Sequence, residues 1–455
     1  MKIAVIGGAG VRTPLLVKGL TRSDLPIDEI ALFDLNPDRL DAIATLARSY
    51  ARSVRTFPTA SLCVADADFV FLSIRAGGID ARARDEASAM ALGVAGQETI
   101  GPAGFAMAMR NVPPAVEYAR LVAGLAPRAW IINFTNPVGI VTQAMTQDGN
   151  PRVIGICDTP TELFADISRV LDLPYDRCFF DYFGLNHLGW LREVYVDGAP
   201  QLSRLWDNDP LLERVYRAPL FDARFLRQLR LLPTEYLFFY YRPRDALANL
   251  RSAGRTRGHE IAELNQRLFH DLATAGSGAR GVYETYLEQR SAGYLRLEAG
   301  ASRVSDTSDT SDSQISATFD VSRSKTLRVS DTSDTSDLAG YDKIALAVVR
   351  AIHVNSNAII PLNVPNKGTL RGLADTDIVE VPCVVGANGA RPLAVEPMPD
   401  DVHELVMRVK EYERFTVDAA SAPSMDAAVR ALSLNPLVGT HALARRLVDS
   451  MRPLW

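Results

Sequence analysis

The sequence predicts an α/β protein in which a mostly parallel N-terminal sheet is followed by an α/β substrate-binding region. Short apolar strands alternate with helical segments over the first third of the chain, a glycine-bearing turn joins the first strand to the first helix, and the second strand ends in a carboxylate. Alternation of this kind gives a parallel sheet whose ligands sit at the carboxyl ends of the strands.

The first strand is the apolar run "KIAVI". The turn "GGAGVRTP" follows and leads into the helical pattern "LLVKGLTR". Gly7, Gly8 and Gly10 allow backbone to approach a pyrophosphate at the helix N-terminus, where free amides and the macrodipole favour negative charge. Thr13 is expected to cap the helix, and Pro14 suits its first position. The second strand, "EIALFDL", ends in Asp34, 24 residues after Gly10 and where a dinucleotide enzyme places an acid on the ribose hydroxyls. An acid there favours NAD over NADP. The N-terminal sheet is thus expected to be Rossmann-like.

The strands "ADFVFLSI", "AWIINFTNP" and "VIGICDTP" continue the pattern, and Arg75, Asn133, Asn136 and Cys157 fall at or just past strand ends. Helical patterns fill Gly258–Arg290 and Asp401–Arg452, and "DIVEVPCVV" reads as a strand with Cys383 in the core. With 455 residues the chain exceeds what one hydrophobic core supports, so two regions are expected, 1–155 for the nucleotide and 156–455 for substrate. Residues 303–312, "RVSDTSDTSD", recur as 328–337 within a Ser/Thr/Asp-rich stretch at about 302–338. That composition buries too little apolar area to fold alone and reads as a surface insertion, with "DSQISATFDVSRS" able to form a short hairpin.

A net charge of −5 argues against a nucleic-acid partner, and no apolar run reaches the ~18 residues a membrane helix needs. A cytoplasmic location is the expectation. The four scattered cysteines do not form a disulfide framework. A thiolate and a neutral imidazole are complementary ligands for a divalent metal, and the segment "FGLNHLGW" puts Asn186 and His187 29 and 30 residues after Cys157. Beside a dinucleotide site, Cys157 and His187 are the candidate metal pair, and the remaining histidines are read as structural.

Taken in order, "GGAGVRTP", "IRAGGIDARARDE", "GVAGQETIGPAG", "NFTNPVG", "GICDTP", "GLNHLGW", "TEYLFFYY" and "PLNVPNKG" resemble the NAD- and manganese-dependent glycoside hydrolases of family four, over nearly the whole chain outside the insertion. The resemblance implies a lactate/malate dehydrogenase-like arrangement of the two regions. It further implies cleavage of a 6-phosphorylated glucoside by oxidation at C3, deprotonation at C2 and elimination, with NAD regenerated in each turnover. Cys157 and His187 match the metal ligands, and Asp158 matches an acid of some members. Tyr236 is the expected base, with Tyr240 and Tyr241 as reserves and Arg255 or Arg257 as the cation that aids its ionisation. Asn136 and Asn186 match sugar-hydroxyl ligands, and Arg75, Arg82, Arg255 and Arg257 are candidates for a phosphate. Family members form homodimers or homotetramers, which is the expectation here.

Two features depart from the family pattern. Asp158 is the α-glucoside type of residue, whereas "IRAGGIDARARDE" and "GVAGQETIGPAG" resemble the 6-phospho-β-glucosidases. Val11 and Arg12 replace small polar and aromatic residues in the nucleotide turn. Two readings from other classes are an NAD-dependent 2-hydroxyacid-type dehydrogenase, which accumulates NADH in proportion to substrate, and a nucleotide-sensing protein without turnover, in which the Cys157, His187 and Tyr236 set has no purpose.

Overall fold

The computed structural model describes residues 1–216, 218–292, 297, 299 and 340–452. The Ser/Thr/Asp-rich insertion, its repeats and the hairpin expected within it lie outside the described residues.

Six strands follow the expected alternation: β1 (Lys2–Ile6), β2 (Glu29–Phe33), β3 (Val54–Thr56), β4 (Phe69–Leu72), β5 (Trp130–Asn133) and β6 (Val153–Gly155). They pair in parallel in the order β3-β2-β1-β4-β5-β6. This is the doubly wound Rossmann order, with its switch point between β1 and β4. Apart from the edge strand β3, these strands are apolar along nearly their whole length because helices cover both faces. A hairpin, β7 (Cys178–Leu185) and β8 (Leu188–Val196), forms a second sheet with β9 (Ala199–Pro200) and β10 (Leu232–Pro233). Its two-residue turn is Asn186–His187, with His187 at φ +60°. Histidine is one of the few non-glycine residues enriched in that left-handed region.

Three later strands, β11 (Ala358–Pro365), β12 (Ile378–Gly386) and β13 (Gly389–Pro392), extend the first sheet. β11 joins antiparallel to β6 through Asn363 opposite Gly155, and β12 and β13 follow outward. One nine-stranded sheet therefore runs across position 155. The strand read from "DIVEVPCVV" is β12, and Cys383 within it is buried.

Helices appear where apolar periodicity placed them, with local differences. Thr13 is the first residue of the helix Thr13–Arg22 and not its cap; Arg12 holds the cap position without a side-chain cap bond. The helical stretch Gly258–Arg290 divides into Arg257–Leu272 and Ala279–Ala292, because Gly276–Gly278 forms a short 3₁₀ turn between them. The C-terminal stretch divides into Asp400–Ser421, Met425–Leu434 and His441–Met451.

The helix Asp400–Ser421 is fastened to the start of β12 by charge. Lys410, fully buried, donates to the Ile378 carbonyl at 2.6 Å and pairs with Glu413. Arg414 Nε donates to Asp377 Oδ1 at 2.8 Å, and the other carboxylate oxygen accepts the Ala374 amide at 2.7 Å. Burial alone would raise the Asp377 acid, but Arg414, Lys410 and the amide outweigh it and hold the group below the usual carboxylate range. A depressed acid stabilises the fold above its unfolded value of about 3.9 and loses that contribution as pH falls. Asp377→Ala is therefore expected to cost about 1 kcal/mol at pH 7, the loss of hydrogen bonds from the partly exposed Arg414 and the Ala374 amide. Urea midpoints of wild type and variant should converge between about pH 5 and pH 3. A gap that stays constant over that range would assign the effect to packing.

Candidate active site

A cleft of about 560 Å³ opens at the carboxyl ends of β1 and β4, bounded by the glycine turn, Asp34, Asn136 and several arginines. The turn is braced from within. Gly7 and Gly8 amides both donate to the Phe33 carbonyl at 3.0 and 2.8 Å, and the Gly10 amide donates to Gly7 O at 3.0 Å. Gly7 has φ +90°, and a Cβ there would lie 2.1 Å from the Ser73 carbonyl at the end of β4. No other residue fits where the two switch-point strands converge. Asp34 is locked across the same turn, accepting the Ala9 amide on Oδ2 and the Asn36 amide on Oδ1, each at 3.0 Å.

Beyond this cleft Cys157 and His187 meet. Cys157 follows β6, His187 occupies the β7–β8 turn, and Sγ lies 3.5 Å from Nε2. The tautomer of His187 follows from the bonds behind it. Gln97 Oε1 accepts the Thr99 amide at 2.7 Å, the Thr99 hydroxyl at 2.8 Å and the Ile100 amide at 3.0 Å. The single hydroxyl proton of Thr99 is thereby used, so the 2.7 Å contact between Thr99 Oγ1 and His187 Nδ1 has Nδ1–H as donor. Nε2 is left as the bare lone pair facing the thiol. Burial pushes His187 down to about 3, so the ring is neutral. Burial also raises the Cys157 thiol, with Glu380 and Asp158 adding to it. A neutral imidazole with its other nitrogen hydrogen-bonded is the state in which histidine ligates metals, and a divalent cation would reverse the thiol's preference for its proton. The pair fits two positions of such an ion. Among the described residues no group of three or more His, Cys, Asp and Glu is arranged to enclose one.

Tyr236, from the turn Glu235–Leu237, stacks on His187 with ring centroids 3.8 Å apart and planes 12° from parallel. Its reserves go elsewhere. Tyr241 accepts from Trp190 Nε1 at 3.1 Å, and Tyr240 faces Tyr412 and Glu413. Asp158 begins the helix Thr159–Leu171 and lies 3.7 Å from the Arg12 guanidinium, which lines the cleft. Burial raises the Asp158 acid and Arg12 opposes this. Asn136 lines the cleft with Oδ1 buried and unpaired. Asn186 is turned toward Glu380, whose carboxylate collects Tyr182 OH at 2.7 Å, Asn363 at 2.7 Å and Asn186 at 3.3 Å.

The four candidate phosphate arginines separate into two pairs. Arg75 and Arg82 line the cleft, but both pair with Glu98, at 2.7 and 2.8 Å, and Arg82 also pairs with Glu86. Burial would raise Glu98, yet the two guanidinium groups pull it down to about 2. Arg255 and Arg257 are not among the cleft-lining residues; both bind Glu260, at 3.0 Å. The Arg82 guanidinium is close enough for its charge to reach Tyr236. Arg290 went unnoticed in the sequence. Arg257 bonds its backbone carbonyl, its own side chain enters the cleft, and it donates to Tyr286 OH at 3.0 Å with no ion pair among the described residues. It sits at the end of a helical pattern and carries no local signal. Thr99, Glu98 and Glu380 were likewise unread, since each acts through residues far away in the chain.

Comparison with known proteins gives one answer along the chain. The description "Family 4 glycosyl hydrolase" matches residues 2–173, and that of the family's C-terminal domain matches residues 182–438. A probable 6-phospho-beta-glucosidase of Bacillus subtilis is 28% identical, over 99% of this chain and 95% of that one. A phospho-alpha-glucosidase of Clostridium acetobutylicum is 26% identical, over 99% and 96%. The solved structure of a Thermotoga maritima 6-phospho-beta glucosidase with manganese, NAD+ and glucose-6-phosphate has a TM-score of 0.79 at 25% identity, covering 100% of this chain and 98% of that one.

Proposed function

The chain belongs to glycosyl hydrolase family 4, and from that footing we propose that it cleaves 6-phospho-β-glucosides, using NAD and a divalent ion such as Mn2+. The observation that carries the proposal is the 3.5 Å approach of Cys157 Sγ to Nε2 of His187; Cys157 is next in sequence to Asp158, which lies 3.7 Å from the cleft-lining Arg12. Cys157 and His187 would hold the ion. The glycine turn and Asp34 would hold the nucleotide. When bound, the nucleotide takes up and returns the C3 hydride, and the ion polarises the oxygen on C3, which makes the C2 proton removable.

The side chains then have separable tasks. Tyr236 takes the C2 proton, with the Arg82 charge favouring its phenolate. Asp158 delivers a proton to the departing glycosidic oxygen, and burial raises its acid above the usual carboxylate range against the pull of Arg12. Asn136 Oδ1, without a partner among the described residues, is the acceptor for a sugar hydroxyl, whereas the Asn186 amide is engaged by Glu380. Arg290 is the cation best placed for the 6-phosphate, because Glu98, Glu86 and Glu260 balance the four arginines named from the sequence. Asp158 in place of asparagine favours a second reading, a 6-phospho-α-glucosidase of the same family.

Nitrophenyl α- and β-glucosides, each with and without a 6-phosphate, decide between these when assayed with NAD, Mn2+ and a reductant. The 6-phospho-β compound should release nitrophenol fastest and leave no NADH. Stoichiometric NADH would instead identify a dehydrogenase. Tyr236→Phe should suppress exchange of the C2 hydrogen with solvent; unchanged exchange would transfer the base role to another group. Thr99→Val removes the acceptor that sets the His187 tautomer. It should weaken Mn2+ binding by about 10–100-fold in calorimetry, with NAD binding unchanged. Equal affinity in the variant would mean the ring is oriented without Thr99.

A further inference from the structure

We propose that Asp342 is a binding residue of the cleft that accepts a hydrogen bond from a ligand hydroxyl. The inference rests on the glycosidase reading for the sugar side of the cleft. Asp342 lies in the first turn of the helix Gly340–Val354, which packs on the helix Thr13–Arg22 that the glycine turn opens. It lines the cleft together with Arg12 and Arg290. Only 2% of the residue is exposed, and Oδ2 is sealed from solvent without a hydrogen-bond partner among the described residues.

A buried carboxylate oxygen with nothing to accept is rare in folded proteins, since it gives up water without replacement. No described residue supplies the missing donor, and the cleft that Asp342 lines admits one from a bound molecule. An anion would take Arg12 and Arg290 of the same lining as its partners, and not the Asp342 oxygen. A metal ion lacks further ligands, there being no cluster of His, Cys, Asp and Glu among the described residues. A hydroxyl satisfies both the charge and the geometry, as a short donor to a charged acceptor. Burial lifts the Asp342 acid to about 8 while Arg12 pulls it down. Burial thus favours the protonated acid near neutral pH, and a hydroxyl donating to Oδ2 would shift the balance toward the carboxylate.

Two sources bring hydroxyls into this cleft, the sugar and the ribose of the nucleotide, and two titrations of the full-length enzyme distinguish them. NAD affinity is measured alone by calorimetry, and KM is measured with p-nitrophenyl 6-phospho-β-glucoside at saturating NAD. For Asp342→Ala a sugar contact predicts a KM raised about tenfold or more with NAD affinity unchanged, and a ribose contact predicts NAD affinity reduced by the same factor. Asp342→Asn, which keeps one acceptor oxygen, should restore most of the loss. Should the alanine variant not fold, Asp342→Leu, which fills the space without an acceptor, takes its place. Both quantities within twofold of wild type in a folded variant would overturn the proposal. Failure of the wild type to cleave any of the glucosides would sink the functional reading instead, and the NAD titration would still report on Asp342.

Discussion

Which nitrogen of His187 carries its proton is the constraint on which the site depends. The backbone sets the ring's starting point, because the two-residue turn between β7 and β8 places His187 in the left-handed region. The Tyr236 ring then fixes the imidazole plane from one face. The remaining freedom, a half-turn of the ring that would exchange Nδ1 and Nε2, is removed by Thr99. Thr99 can do this only because Gln97 has already claimed its hydroxyl proton. Three elements distant in sequence therefore act on one ring torsion, and a lone pair is presented to sulfur before any ion arrives. Such preparation lowers the reorganisation that binding must otherwise supply.

Charge in the cleft follows a related logic. Glu98 sits between Arg75 and Arg82, and Glu86 ties Arg82 to the amide of Gly258 at 2.7 Å. These carboxylates turn a cluster of cations into a nearly neutral wall whose hydrogen-bonding directions are fixed. Buried ion pairs of this type do little for net stability but fix geometry. Arg290 makes no ion pair among the described residues, although its charge also helps hold Glu98 down.

Much of this arrangement was legible in the sequence, for physical reasons. Strand ends, the glycine turn and Asp34 are local patterns, and local patterns fix the Rossmann order once parallel pairing is assumed. Cys157 and His187 stood out because sulfur and imidazole are uncommon and chemically distinctive. The carboxylate partners of the candidate arginines were not legible. Arg255 and Arg257 look free in a linear reading, but Glu260 and Glu263 lie one helical turn or two away and take them up on folding. Thr99 and Glu380 sit in a loop and a strand that any packed protein could contain. Their importance comes from partners nearly ninety to two hundred residues distant, His187 for one and Tyr182 for the other. No spacing rule reports such encounters.

The sheet that crosses position 155 has a mechanical meaning. β6 carries Gly155 at its end, two residues before the cysteine, and its outer neighbour is supplied by Asn363 from the far part of the chain. The nucleotide's floor and the thiol's anchor are thus one hydrogen-bonded plate, without a hinge between them. The imidazole belongs to the other layer, since His187 sits in the turn of the β7–β8 hairpin that packs against β12. The sulfur is thus set by one sheet and its nitrogen partner by another, and their separation reports how the two layers are seated.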